Sequence, residues 1–246
     1  MEAAELGLFM ISAGLFTTIL EYPGSGIHQL IPDVLARRAL MGVLMGSTAV
    51  AIIYSSWGKQ SGAHFNPVVT WTFFGLGKIR IWDAVFYTVA QFVGGTMGIL
   101  VIGAIVGSAI ASPSVAYAAT LPGPQGALVA FAAEFTISFL LMLVILGVSN
   151  RKSIANYTGL FAGILIALYI ALESPLSGMS MNPARTFASA FAARLWTGIW
   201  VYFTAPLFGM LAAAKAYAGK ERLHAVRCAK LHHDNDRRCI FCGKTE

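Results

Sequence analysis

The stretch Ser61-Gly62-Ala63-His64-Phe65-Asn66-Pro67-Val68-Val69-Thr70 decides the fold, because it returns without a gap as Ser177-Gly178-Met179-Ser180-Met181-Asn182-Pro183-Ala184-Arg185-Thr186. Ser, Gly, Asn, Pro and Thr keep their places in both copies. A lone Asn-Pro is usually a turn; two copies inside one longer pattern mark an internal repeat. Asn is a favoured helix N-cap and Pro is tolerated at the first helical position, so each motif starts a helix. Glu5, in Ala4-Glu5-Leu6, has a counterpart in Glu134 of Ala133-Glu134-Phe135, which extends the repeat towards the start of each half.

The surrounding chain is a membrane sequence. Of its 246 residues 57% are hydrophobic and 11% charged, with a mean hydropathy of +0.70, whereas soluble domains carry about 25% charged residues. Ala39 to Gly58, Ser153 to Leu172 and Leu195 to Ala214 lack any Asp, Glu, Lys or Arg, and each is long enough to cross a bilayer core. Six spans are predicted, at about 6–20, 39–57, 84–107, 127–149, 155–172 and 196–217. Of the two Asn-Pro segments, 61–77 is apolar but interrupted by Asn66-Pro67 and 174–193 is too polar and too short to cross, so both read as loops leading into short helices. Met1-Glu2-Ala3-Ala4-Glu5 lacks the positive region of a signal peptide, so the first apolar stretch is expected to remain as a span.

Three spans per half make the halves enter the membrane from opposite sides, an inverted repeat whose interface holds a site near the midplane. The expected fold is therefore an all-α membrane protein of six transmembrane helices and two re-entrant half-helices. Residues 1–219 form the channel-like body, with repeats at about 1–110 and 125–219, and 220–246 form a tail. Lys59, Lys78, Arg80, Arg151, Lys152 and the basic residues from Lys215 onward fall on one side, against Arg37, Arg38, Arg185 and Arg194 on the other. The positive-inside rule then sets both termini in the cytoplasm. The net charge of +6 is explained by this placement; no basic, aromatic-interleaved surface points to nucleic acid. No carboxylate pair, nucleophile with a base, or phosphate-cradling loop points to an enzyme.

The doubled Ser-Gly-x-x-x-Asn-Pro, continuing in the second copy as Ala184-Arg185, resembles the aquaporin (major intrinsic protein) family over residues 1 to about 218. The resemblance implies a passive channel for water and small neutral solutes, assembled as a homotetramer in membrane lipid and needing no cofactor for transport. It places the pore constriction at Asn66, Pro67, Val68, Asn182, Pro183 and Ala184, where two half-helix dipoles exclude protons and cations. Val68 departs from the usual Ala and adds bulk there. Glu5 and Glu134 would brace the two loops by accepting backbone N–H bonds. Arg185 resembles the family's selectivity-filter arginine, the alternative being a helix-end cation neutralised by lipid or by Glu173. Counting back from the motifs carries the other filter positions to Gly46, Ile170 and Met179, with one residue of slip placing Met45 instead of Gly46. Water-selective members usually have Phe and His at the first two, so a wider, more apolar filter is expected, passing glycerol, hydrogen peroxide, ammonia or urea. Thr186 after the arginine and the pair Tyr202-Phe203 lean instead towards the water-channel branch. His64 lines the vestibule through its carbonyl or simply packs. Gly94, Gly95, Gly98, Gly103, Gly107, Gly159 and Gly163 allow close helix approach.

The tail departs from the family. It holds all three cysteines and three of the five histidines. His224, Cys228 and His232 would share a face if the segment were helical, and Cys239-x-x-Cys242 has half a zinc-knuckle spacing. A structural zinc held by Cys228, Cys239, Cys242 and His232, or its neighbour His233, competes with a solvated basic arm drawn to anionic lipid. Two other functions stay open: an ion-coupled transporter, which would need more intramembrane charge than Glu5, Glu134 and Arg185 supply, and a metal or redox sensor with a vestigial pore.

Overall fold

The computed structural model describes residues 1–221 and 226–243, and every regular element among them is helical. Six long helices are apolar enough to cross a membrane: α1 (Glu2–Glu21), α2 (Val34–Tyr54), α4 (Ile81–Val106), α5 (Ala127–Ser149), α6 (Thr158–Leu172) and α8 (Ile199–Glu221). Between them lie the half-helices α3 (Pro67–Gly75) and α7 (Pro183–Ala193). Each starts one residue after its Asn, as the capping chemistry requires. Large apolar side chains such as Leu8, Val43, Phe86, Val93 and Leu168 remain exposed on the long helices, which suits a bilayer and not water.

The helices pair as the repeat demands. In the first half α1 packs on α4, in the second α5 packs on α8, and α2 lies against α6 across the repeat interface. Backbones touch at these crossings. A Cβ at Gly94 would fall 2.0 Å from Ala3 O, and one at Gly98 would fall 2.3 Å from Gly7 O. Their equivalent in the second half is Gly209, where a Cβ would meet Phe135 O at 2.4 Å. Without a hydrophobic drive between helices in lipid, such close approach supplies the packing energy.

Glu21 at the end of α1 pairs with the buried Arg37 guanidinium at 3.2 Å. Arg37 also donates to Ile31 O and Pro32 O. The turn after the first span is thereby fixed at the membrane face opposite the termini. The uncharged stretch 107–126 between the third and fourth spans contains 3-10 turns at Gly107–Ala111 and Ala116–Ala118.

Residues 226–243 contain no helix, so Cys228 and His232 do not share a helical face, and His224 lies outside the described residues. Nor is the segment a free arm. Val226, Ala229, Lys230 and Leu231 are buried, and Val226, Ala229 and Leu231 join the same apolar core as the spans.

Candidate functional site: a cavity between two inverted loops

Both loops are built the same way. A short helix, Ser56–Ser61 or Ser174–Ser177, ends on a left-handed glycine, Gly62 (φ +102°) or Gly178 (φ +80°). This is why Ser-Gly opens the motif. The chain then stays in left-handed conformations at Ala63 and Phe65, and at the matching Met179 and Met181. Non-glycine residues in that region cost about 1–2 kcal/mol each, so something must hold them.

Carboxylates hold them, but not symmetrically. In the second half Glu134 accepts from Ser177 Oγ at 2.8 Å, Ser180 N at 2.7 Å and Met181 N at 2.7 Å. In the first half Glu5 accepts Ser61 Oγ, at 2.6 Å. The backbone N–H groups of His64 and Phe65 go to Glu2, at 3.1 and 2.7 Å. Gln91 also donates to Glu2, at 2.6 Å. The expected backbone brace at Glu5 is thus displaced by one helical turn, onto Glu2. Two tyrosines restore the symmetry: Tyr87 donates to Ser61 O at 2.8 Å and Tyr202 to Ser177 O at 2.5 Å.

The loops meet through their asparagines. Asn66 Nδ2 donates to Met181 O and Asn182 Nδ2 to Phe65 O, both at 2.7 Å. Each Oδ1 accepts from the half-helix behind it: Asn66 from Val68 N, and Asn182 from Ala184 N and Arg185 N. An amide has two N–H donors. Each asparagine therefore locks the opposite loop with one and keeps one for the cavity that both line. The N-termini of α3 and α7, with their partial positive charge, are brought to the same place.

That cavity, of about 380 Å³, has a mainly apolar wall. Its polar points include the two asparagines, Arg38, Arg185, Glu21 and His64. Ile170, Met179 and Arg185 are among its lining residues. Arg185 Nη1 is buried with no hydrogen-bond partner among the described residues, and no ion pair joins it to Glu173.

Gly46 is not at this wall. A Cβ there would lie 2.4 Å from Gly163 O, so Gly46 belongs to the α2–α6 seam. The α2 residues that line the cavity include Met41 and Met45, together with Val34, Arg38 and Ile53. Val68 does not narrow the cavity either, since it is buried outside the lining together with Pro67, Pro183 and Ala184, while Val69 takes the wall. Met41, Arg38 and Glu2 left no mark in the sequence beyond ordinary helical positions.

The tail reaches the same cavity, and Leu231 is part of the lining. Leu231 N donates to Gly62 O at 3.1 Å, and His64 Nε2 meets Ala229 O at 2.6 Å. A carbonyl only accepts, so that contact requires the proton on Nε2. The His64 ring is stacked between Phe73 and the tail's Phe241. Within the tail, one ligand atom each from Cys228, His233, Cys239 and Cys242 lie within 4.8 Å of one another. His232 is outside this group, because its ring turns edge-on to Tyr54. Hydrogen bonding between the two sulfurs, 3.3 Å apart, drives Cys239 down to about 3 and Cys228 up. His233 rises to about 9, chiefly through its bond to Cys239.

Two inverted loops meeting inside a six-helix membrane bundle, around a narrow cavity with a few donors, define a channel-type protein. The profile of the major intrinsic protein family matches residues 7–217. The chain is 33% identical over 211 residues to aquaporin NIP1-2 of Oryza sativa subsp. japonica, covering 85% of this chain and 67% of that one. It is 35% identical over 211 residues to aquaporin NIP6-1 of Arabidopsis thaliana, covering 85% of this chain and 64% of that one. Its fold resembles the aquaglyceroporin from Plasmodium falciparum, with a TM-score of 0.68 at 19% identity, over 88% of this chain and 92% of that one. The chain belongs to the major intrinsic protein family, a family of channels and not of enzymes.

Proposed function

We propose that the protein is a passive membrane channel for water and small neutral solutes, with ions excluded at the paired asparagines. The observation that carries this is the reciprocal lock of Asn66 and Asn182, which leaves one N–H of each amide for the cavity and sets two helix N-termini against it. A solute oxygen fits such donors, and a cation meets two positive helix ends. The face carrying the termini is the cytoplasmic one, supported by its excess of Lys and Arg. A homotetramer in the lipid bilayer of the cell membrane follows from the family resemblance.

The filter is formed by Arg185, Ile170, Met179 and, on α2, Met41 or Met45 in place of Gly46. It lacks an aromatic ring and a histidine, which supports passage of a solute larger than water, such as glycerol, urea, hydrogen peroxide or ammonia. Stopped-flow measurements on proteoliposomes test both claims. The intact pore is expected to raise water permeability with low activation energy and no proton leak. Ile170→His is expected to cut solute passage more than water passage. Folded, inserted protein whose open form matches empty liposomes would overturn the channel reading.

The tail supports a second, separate assignment, a structural zinc held by Cys228, His233, Cys239 and Cys242. Three thiols and one imidazole form a closed tetrahedral donor set. Native mass spectrometry is expected to give one zinc per chain, lost on Cys239→Ser.

A further inference from the structure

The four candidate ligands bracket the residues that touch the pore. Between Cys228 and His233 lie Ala229, Lys230, Leu231 and His232, and all four face the channel. Ala229 O meets His64, Lys230 Nζ donates to Lys59 O at 2.6 Å, Leu231 enters the cavity, and His232 packs on Tyr54. Between Cys239 and Cys242 lies Phe241, whose ring stacks on His64 and lies 3.0 Å from where a Cβ of Gly62 would be. Both ligand-to-ligand loops therefore form the docking face. The ligands stand behind them and set their shape.

From this we infer that zinc occupancy of the tail shuts the pore: the metal-bound knuckle is a plug that seats Leu231 in the cytoplasmic mouth. This rests on the channel and zinc readings above and adds their coupling. The seat is specific. Leu231 N pairs with Gly62 O of the very loop that carries Asn66, and Arg227 N is held by Asn150 Oδ1 at 2.6 Å on the neighbouring loop. Arg227 also clamps Asp234 through two bonds of 3.0 Å, tying the start of the first finger to its end. The four ligands gather both fingers at one point, and for such a site metal binding and ordering are one process. Loss of the ion would therefore release both fingers together.

The test compares four proteoliposome preparations: full chain with one zinc, full chain stripped with a membrane-permeant chelator, Leu231→Gly with zinc, and a chain ending at Glu221. A plug seated in nine channels of ten lowers flux about ten-fold, so stripping zinc and truncation are each expected to raise water permeability about ten-fold. Re-addition of zinc alone should reverse the first and leave the second unchanged. Leu231→Gly is expected to conduct while still binding one zinc, which separates the plug from the metal site. Equal permeability in all four, with zinc stoichiometrically bound, overturns the plug and leaves both earlier readings standing. A full chain that takes up no zinc overturns the metal reading and this inference with it. A truncated chain that folds, inserts and conducts nothing overturns the channel reading, and the plug falls with it.

Discussion

The two inverted loops do the same job with different parts. In the second loop one carboxylate, Glu134, accepts a hydroxyl and two backbone N–H groups, and both its oxygens are used. In the first loop the hydroxyl goes to Glu5 and the backbone to Glu2. The outer cover differs too. The second loop is covered by the chain's own connection, with Gly123 N on Leu176 O and Thr120 Oγ1 on Thr186 Oγ1 at 2.8 Å. The first is covered by the tail. Inversion thus preserves the geometry that the pore needs, the crossed asparagines, and leaves the supports free to diverge. The half with the divided brace is also the half that the tail covers.

The sharpest way to break this comparison is Glu134→Ala. Three buried donors would be orphaned, each costing about 1–3 kcal/mol, partly offset because the carboxylate no longer has to be desolvated. A net loss of about 3 kcal/mol is expected, read as a large fall in thermal midpoint in detergent with loss of water permeability. A variant as stable as the parent would mean that the second loop is held by something else.

Glu2→Ala and Glu5→Ala sharpen the asymmetry. The first frees two backbone N–H groups and the Gln91 amide, the second one hydroxyl that can turn elsewhere. Glu2→Ala is expected to cost about 2 kcal/mol and Glu5→Ala about 1 kcal/mol or less. The reverse order in thermal unfolding would restore Glu5 as the counterpart of Glu134.

Such results would also measure what a sequence can carry. The Asn-Pro helix starts and the inverted pairing were legible because capping and span length are local properties written in adjacent residues. Gly46 was misplaced because counting along a helix fixes height but not rotation, and one residue turns a side chain by about 100°. That rotation separates a seam glycine from a wall methionine. Glu2 was missed because bracing acts through space, and three residues upstream is simply the next turn of the same face. The tail's cysteines and histidines pointed to a candidate metal site, yet spacing alone could not choose between adjacent histidines. Nothing local in Ala229-Lys230-Leu231-His232 tells that these four residues meet Lys59, Gly62 and His64, far earlier in the chain.

The smallest expected effect comes from the tyrosines, where the loops agree best. Tyr87→Phe and Tyr202→Phe each remove one hydroxyl from a loop carbonyl while keeping the ring, so the contact of Tyr87 with Phe241 of the tail survives. Each is expected to cost about 1 kcal/mol. Tyr202 should sit at the upper end, being fully buried and closer, at 2.5 Å against 2.8 Å. Because the ring stays, tail docking and its zinc dependence should be untouched in Tyr87→Phe, and only stability should move. If Tyr87→Phe instead raises water permeability of the zinc-loaded channel, then the hydroxyl on Ser61 O holds the first loop in the shape that the tail recognises. The difference between the two loops would then lie in this shared clamp as well as in the carboxylates.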